Sequence, residues 1–173
     1  MNGTQSSLLK YMSLVSFIIS GIISVILSSK WLIVWGWFPI IGQMTFPDLN
    51  GTWEGHLVTT WIDPITGETK PALSIKIWVR QEIFVTKITL KTTESISYST
   101  RCLLEADREA GLYRFWYSYS NSPKAGYTYR SAKHDGVARL DLDTDPNCLE
   151  GNYYSDRKTS GDILVKRIKN SIE

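Results

Sequence analysis

The stretch that decides the fold of this chain is GTWEGHLVTTW, residues 51–61. Trp53 and Leu57 fall on one face of an extended strand, and His56 and Thr60 fall on the other, because successive side chains of a strand point to opposite sides. A turn sequence, DPITG, follows almost directly. The alternation therefore predicts a β-strand with one face in the core.

The period of two continues to the C-terminus. Residues 73–80 repeat the pattern, and further strands are predicted near residues 83–91, 95–105, 111–120, 132–142, 148–155 and 162–169. About eight antiparallel strands with short connections can close into a minimal barrel that is filled by side chains or holds one small ligand. A two-sheet sandwich is the alternative. This part of the chain is predicted to be all-β.

Two uncharged apolar stretches, about residues 11–29 and 31–47, precede the strands and are separated by Lys30. The first is long enough for a helix to cross a hydrocarbon core of roughly 30 Å, and the second falls at the low edge of that range. A cleaved signal peptide is the alternative, but the first stretch is longer than a signal core and another apolar stretch follows at once. We expect a two-helix transmembrane hairpin over residues 1–47 and a β-barrel domain over residues 48–173.

The orientation of the hairpin follows from its few charges. Lys10 and the N-terminus favour a cytoplasmic start. Two spans return the chain to the same side, so the barrel is also expected in the cytoplasm. No spacing typical of zinc ligands accompanies Cys102 and Cys148. We expect both to be reduced thiols, which fits a cytoplasmic domain.

Small residues form a stripe along the first predicted span. Ser16, Ser20, Gly21 and Ser24 recur at helical spacing and share one face. Because small residues let membrane helices approach closely, this face is predicted to contact the second span, another protomer, or both.

Charge and composition exclude several functions. The chain has 19 basic and 17 acidic residues, and Lys10 and Lys30 are the only charged ones before Asp48, which leaves 17 of each sign after it. Such a balanced domain offers no basic field for DNA or RNA. With only His56 and His134, and with no phosphate loop, nucleophile motif or metal-ligand spacing, we expect no enzyme, no metal and no cofactor.

The strand predicted over residues 111–120 is the most informative for a ligand. One of its faces carries Tyr113, Phe115, Tyr117, Tyr119 and Asn121. Aromatic stacking contributes about 1–3 kcal/mol per base, and an amide can read a base edge. Tyr119 and Asn121 are therefore predicted ligand contacts, and the alternative is that the rings fill the core.

Two later segments add polar candidates. His134 begins a strand whose inward face continues with Ala138 and Leu140. Tyr154 and Arg157 stand at the end of another strand, and the planar guanidinium of arginine suits phosphate. All three are predicted ligand contacts. The alternatives are a structural histidine and an ordinary solvated turn.

Several of these residues form motifs. The motifs are Gly51-x-Trp53-x-Gly55, Tyr119-x-Asn121-x-Pro123, His134-x-Gly136, and Leu149-x-Gly151-x-Tyr153 followed by Arg157 and Gly161. Together with two N-terminal spans, they resemble the two-span β-barrel effectors of bacterial cyclic-oligonucleotide anti-phage signalling systems (CBASS). The resemblance covers essentially the whole chain.

The resemblance implies a function. In that family a cytoplasmic barrel senses a cyclic di- or oligonucleotide made by a partner synthase. The effector then forms homo-oligomers and disrupts the lipid bilayer of the bacterial inner membrane, which causes abortive infection. The alternatives are a membrane-tethered, lipocalin-like barrel that binds a small apolar ligand, and an enzyme.

Overall fold

The computed structural model describes residues 2–27, 46–63, 66–82, 85–107, 109–142 and 145–170. The chain divides into two compact units, Met1–Met44 and Thr45–Glu173. Each unit is considered by itself.

The first unit contains one described helix, α1, Asn2–Leu27. The four small residues predicted as a stripe, Ser16, Ser20, Gly21 and Ser24, lie on this helix and are exposed. Within the described residues, no helix combines the length and the apolar character needed to cross a membrane. The predicted second span, 31–47, lies outside the described residues as far as residue 45.

The second unit consists of β-strands. The strands are β1 Gly51–Thr59, β2 Leu73–Gln81, β3 Thr86–Lys91, β4 Ser95–Asp107, β5 Leu112–Pro123, β6 His134–Leu142, β7 Cys148–Ser155 and β8 Ser160–Lys169. A single 3₁₀ turn, Ala125–Tyr127, interrupts the connection between β5 and β6. Each strand pairs antiparallel with the next, and β8 pairs antiparallel with β1, which closes the barrel. The predicted eight-stranded antiparallel barrel is confirmed, and the alternative of a two-sheet sandwich is wrong.

Alternation along the strands builds the core. Trp53 pairs with Ile77, Phe115 pairs with Leu140, and all four side chains are fully buried. On β5 the inward rings follow one another, with centroids 6.0 Å apart between Phe115 and Tyr117. Phe115, Tyr117 and Tyr119 all belong to the buried core, and this aromatic face of β5 continues toward one end of the barrel. Both cysteines are free, as predicted.

The two ends of the barrel differ. The connections after β1, β3, β5 and β7 meet at one end, which we call the open end. At the opposite end the chain enters through residues 46–50, which we call the plug. Leu49 of the plug is fully buried, and its backbone N–H donates to Oε1 of Gln81 at 2.8 Å. Its carbonyl accepts from Nε1 of Trp53 at 3.1 Å.

Aromatic and cationic side chains complete this plugged end. Phe46 packs edge-on against Tyr113, with ring centroids 5.5 Å apart. The guanidinium of Arg167 lies 4.5 Å from the ring centroid of Trp53 and also contacts the Asp48 carbonyl. Burial lowers the pKa of Arg167, partly offset by Asp48. The plug therefore covers the core at this end.

Candidate ligand site at the open end

A cavity opens at the open end. Its volume is about 130 Å³. The inward-facing side chains of the strands form its walls. All four connections of the open end contribute side chains around its mouth, including Trp61, Glu94, Arg130 and Arg157.

Aromatic rings form the floor and one wall. Tyr117 and Tyr119 follow Phe115 on β5, with ring centroids 6.1 Å apart from each other. Burial raises the pKa of Tyr117, and the neighbouring Tyr119 and Cys102 raise it further. Burial also raises the pKa of Tyr119, with smaller contributions from Tyr153 and Asp156. Both phenols therefore stay protonated at neutral pH and remain hydrogen-bond donors.

An amide and a hydroxyl meet above this aromatic wall. Ser97 on β4 and Asn121 on β5 are paired in register and are both buried. The Ser97 hydroxyl donates to Oδ1 of Asn121 at 2.8 Å. The Nδ2 group of Asn121 makes no hydrogen bond to any described residue, so the amide is oriented by Ser97 and keeps two donors for another partner.

Tyr153 closes the wall on β7. Its hydroxyl donates to Oγ1 of Thr59 at 2.7 Å, which ties β7 to the end of β1. Burial raises its pKa, while the Thr59 hydrogen bond and Arg157 partly offset the shift. Nearby, Nδ1 of His134 lies 2.9 Å from the Ala132 carbonyl. These contacts hold the rings of Tyr153 and His134 at the cavity.

Charged side chains surround the mouth, and we call Lys70, Glu94, Arg130 and Arg157 the rim. Glu94 forms ion pairs with Lys70 and with Nη2 of Arg130, the second at 2.7 Å. On the other side Nη1 of Arg157 donates to the Ser131 hydroxyl at 2.8 Å. The rim therefore places three cations and one carboxylate around an aromatic cavity.

Four of the five predicted ligand contacts line this cavity together, namely Tyr119, Asn121, His134 and Arg157. Tyr154 does not, since 57% of it is exposed on the outer surface of β7. Tyr153 pairs with the buried Ala138 and takes the inward position, so the following residue must point outward. Contact with a ligand stays a prediction for all five residues.

Other lining residues were not singled out from the sequence. Lys70, Glu94 and Arg130 lie in connections, where no alternation indicates which side chains turn inward. The alternation of its strand would have indicated the inward position of Ser97 from the sequence. The register of β4 and β5 in the structure then places it opposite Asn121. No group of three or more His, Cys, Asp or Glu among the described residues could hold a metal ion.

Known proteins share this sequence pattern. Residues 44–167 match the family model described as "Cap15, cyclic dinucleotide receptor domain". The matched range contains the plug, seven complete strands and most of β8. The protein named CD-NTase-associated protein 15, from Staphylococcus schleiferi, is 28% identical over 139 residues, which cover 79% of this chain and 69% of that relative.

Proposed function

The chain belongs to the Cap15 cyclic dinucleotide receptor domain family, and we propose that its barrel senses a cyclic dinucleotide in the cavity at the open end. The chain would thus act as the sensing effector of a CBASS-type system, with a cyclic-nucleotide synthase as its functional partner. The observation that carries this proposal is the combination of an aromatic wall, an oriented amide and a cationic rim in one cavity within the matched residues.

Each part of a cyclic dinucleotide would have a partner in this cavity. The rings of Tyr117 and Tyr119 offer stacking surfaces for a base. The free donors of Asn121 can bind acceptors on a base edge. Arg157 and the other rim cations can bind phosphate, and guanidinium groups do so with paired hydrogen bonds.

Charge favours this ligand over an apolar one. Among the described lining residues, the rim carries three basic groups and one acidic group, a formal excess of two positive charges. A cyclic dinucleotide carries two phosphates and so matches that excess. An apolar molecule in a lipocalin-like carrier would cover this excess charge without neutralising it, which makes the carrier the weaker hypothesis.

We propose that residues 1–47 provide the membrane part of the effector. α1 exposes apolar side chains from Leu9 to Val25, among them Phe17, 78% exposed. Such a surface is normally covered by lipid or by another helix. In this proposal the hairpin lies in the bacterial inner membrane, with the N-terminus and the barrel in the cytoplasm.

Ligand binding would then drive assembly. A ligand shifts an equilibrium only when it binds one state more tightly than the other, so the nucleotide must bind the homo-oligomer better than the separate chains. In the oligomer the stripe of Ser16, Ser20, Gly21 and Ser24 would bring helices together and disrupt the bilayer, which causes abortive infection.

Calorimetry with the full chain in detergent tests the sensing step. The titrants are 3′–5′-linked cyclic dinucleotides that differ in their bases. We expect at least one to bind, and Arg157→Ala to weaken it at least about tenfold, roughly 1.4 kcal/mol. Arg80→Ala is the matched control, because Arg80 is exposed at the plugged end and pairs with Glu82 there. Binding of an apolar dye with no response to any nucleotide would favour the lipocalin-like alternative.

A membrane-potential dye in cells tests the effector step. The variant Ser16→Leu, Ser20→Leu, Gly21→Leu makes α1 more apolar but blocks close approach along the stripe. We expect it to bind nucleotide like the wild type and to leave the membrane polarised when the nucleotide is supplied. Full depolarisation by this variant would remove the stripe from the proposed contact.

A further inference from the structure

Glu94 occupies an unusual position in the cavity. Among the described residues that line the cavity, it is the one acid. Its carboxylate contacts Lys70 from the connection after β1 and Arg130 from the connection after β5. Its side chain is 19% exposed. One carboxylate therefore ties two connections of the open end to its own, the connection after β3.

Both cations have a second anchor besides Glu94. The Nζ of Lys70 lies 5.1 Å from the ring centroid of Trp61, and the guanidinium of Arg130 lies 5.1 Å from that of Tyr127. Cation–π contacts at such distances are attractive. The two cations would thus stay near the mouth if the carboxylate turned away.

Arg130 also has unused donor capacity. Its Nε is buried and has no hydrogen-bond partner among the described residues. Buried donors are normally paired, and an unpaired one is costly. Glu94 contacts the guanidinium at Nη2, so the pair leaves this edge of the guanidinium incompletely satisfied. A phosphate has more acceptor oxygens than a carboxylate and can therefore bind more of the guanidinium donors.

We propose that Glu94 is a resident counter-ion that a ligand phosphate replaces. This inference rests on the proposed function and adds its regulation. Without ligand, Glu94 neutralises Lys70 and Arg130 and holds the connections together. When a cyclic dinucleotide binds, a phosphate takes over both cations and the carboxylate turns to solvent. Ion pairs are exchanged and no covalent bond changes.

The exchange has a functional consequence. Binding must break two existing ion pairs, so Glu94 weakens the affinity and raises the nucleotide concentration at which the barrel responds. A ligand with one phosphate has fewer acceptor oxygens to distribute over Lys70, Arg130 and Arg157 than a ligand with two. The acid therefore disfavours mononucleotides, which carry fewer phosphates to recover the lost pairs.

Glu94→Gln tests the proposal, because it removes the charge and keeps the shape. The matched control is Glu82→Gln, which removes the same charge at the plugged end, where Glu82 pairs with Arg80. In calorimetry of the full chain in detergent, with the cyclic dinucleotide that binds the wild type best, we expect Glu94→Gln to bind about tenfold more tightly. We expect Glu82→Gln to match the wild type.

A second variant keeps the test decisive if Glu94→Gln is unstable. Glu94→Asp retains the charge but withdraws it by one methylene, so it should bind more tightly than the wild type by a smaller factor. Equal or weaker binding by both variants, with Arg157→Ala still defective, would overturn the counter-ion role and leave the sensing function intact. Failure of the wild type to bind any of the dinucleotides would overturn the sensing function and this inference with it.

Discussion

Replacing Gly55 with alanine should destabilise the barrel at the seam where it closes. Gly55 lies on β1 and pairs with Val165 of β8. A Cβ built on Gly55 would lie 2.0 Å from the Leu164 carbonyl oxygen and 2.8 Å from Cα of Val165. Both atoms belong to the backbone, so no side chain can rotate away.

The magnitude follows from the distance. Real Cβ atoms essentially never approach other heavy atoms within 3.0 Å, so the Leu164 carbonyl would have to withdraw by about 1 Å. That movement strains the hydrogen bonds between β1 and β8, which alone close the barrel. Overpacking usually costs about 1–3 kcal/mol, and we expect about 3 kcal/mol here because the backbone itself must shift.

Equilibrium urea denaturation of the full chain, followed by tryptophan fluorescence, measures this cost. The buried Trp53 lies two residues from the substitution and reports on the same strand. Gly126→Ala is the control, because a Cβ there meets nothing within 4 Å, and its free energy of unfolding should stay within about 1 kcal/mol of the wild type. A similarly small change for Gly55→Ala would refute the argument that close backbone approach requires glycine at this position.

Three further outcomes are expected. A chain that begins at Phe46 should melt cooperatively when unfolding is followed by circular dichroism. A chain that begins at Gly51 loses the buried leucine of the plug, so its free energy of unfolding should be lower by at least about 2 kcal/mol. Equal melting temperatures of the two chains would contradict this. The raised pKa of Tyr117 means that its contribution to stability is fully present below the ordinary tyrosine pKa of about 10 and is lost as the pH rises through the higher folded value. Denaturation at increasing alkaline pH should therefore show a fall that Tyr117→Phe makes shallower, and an identical fall would count against burial as the cause. Asn121→Ala should lower the free energy of unfolding by about 1–2 kcal/mol, because the buried Ser97 hydroxyl loses its acceptor, and a double-mutant cycle of the two positions would show no coupling if that reason were wrong.

The strands were predictable because their side chains alternate over long stretches. Closure into a barrel was not decided by that pattern, since period two assigns faces but does not say whether the last strand meets the first. Gly55 illustrates the limit: the motif around it was visible, but its reason, the approach of β8, depends on a strand far away in sequence.

The same limit applies to the candidate site: residues on long strands were predictable, and residues in connections were not. Tyr119 and Asn121 were placed by parity on a long strand, and the cavity contains both. Tyr154 follows another tyrosine, so the choice of the inward ring required the register with β6. Glu94 and Arg130 lie in connections, where side-chain direction follows from contacts between distant segments and not from local sequence.

The plug and the cavity occupy opposite ends of the barrel. A ligand would therefore enter at one end, and the preceding part of the chain joins the barrel at the other. Barrels packed side by side would leave each mouth exposed to solution. In the proposed assembly, each chain would then bind one ligand at saturation. Because the ligand is proposed to stabilise that assembly, removal of the messenger would favour the separate chains again.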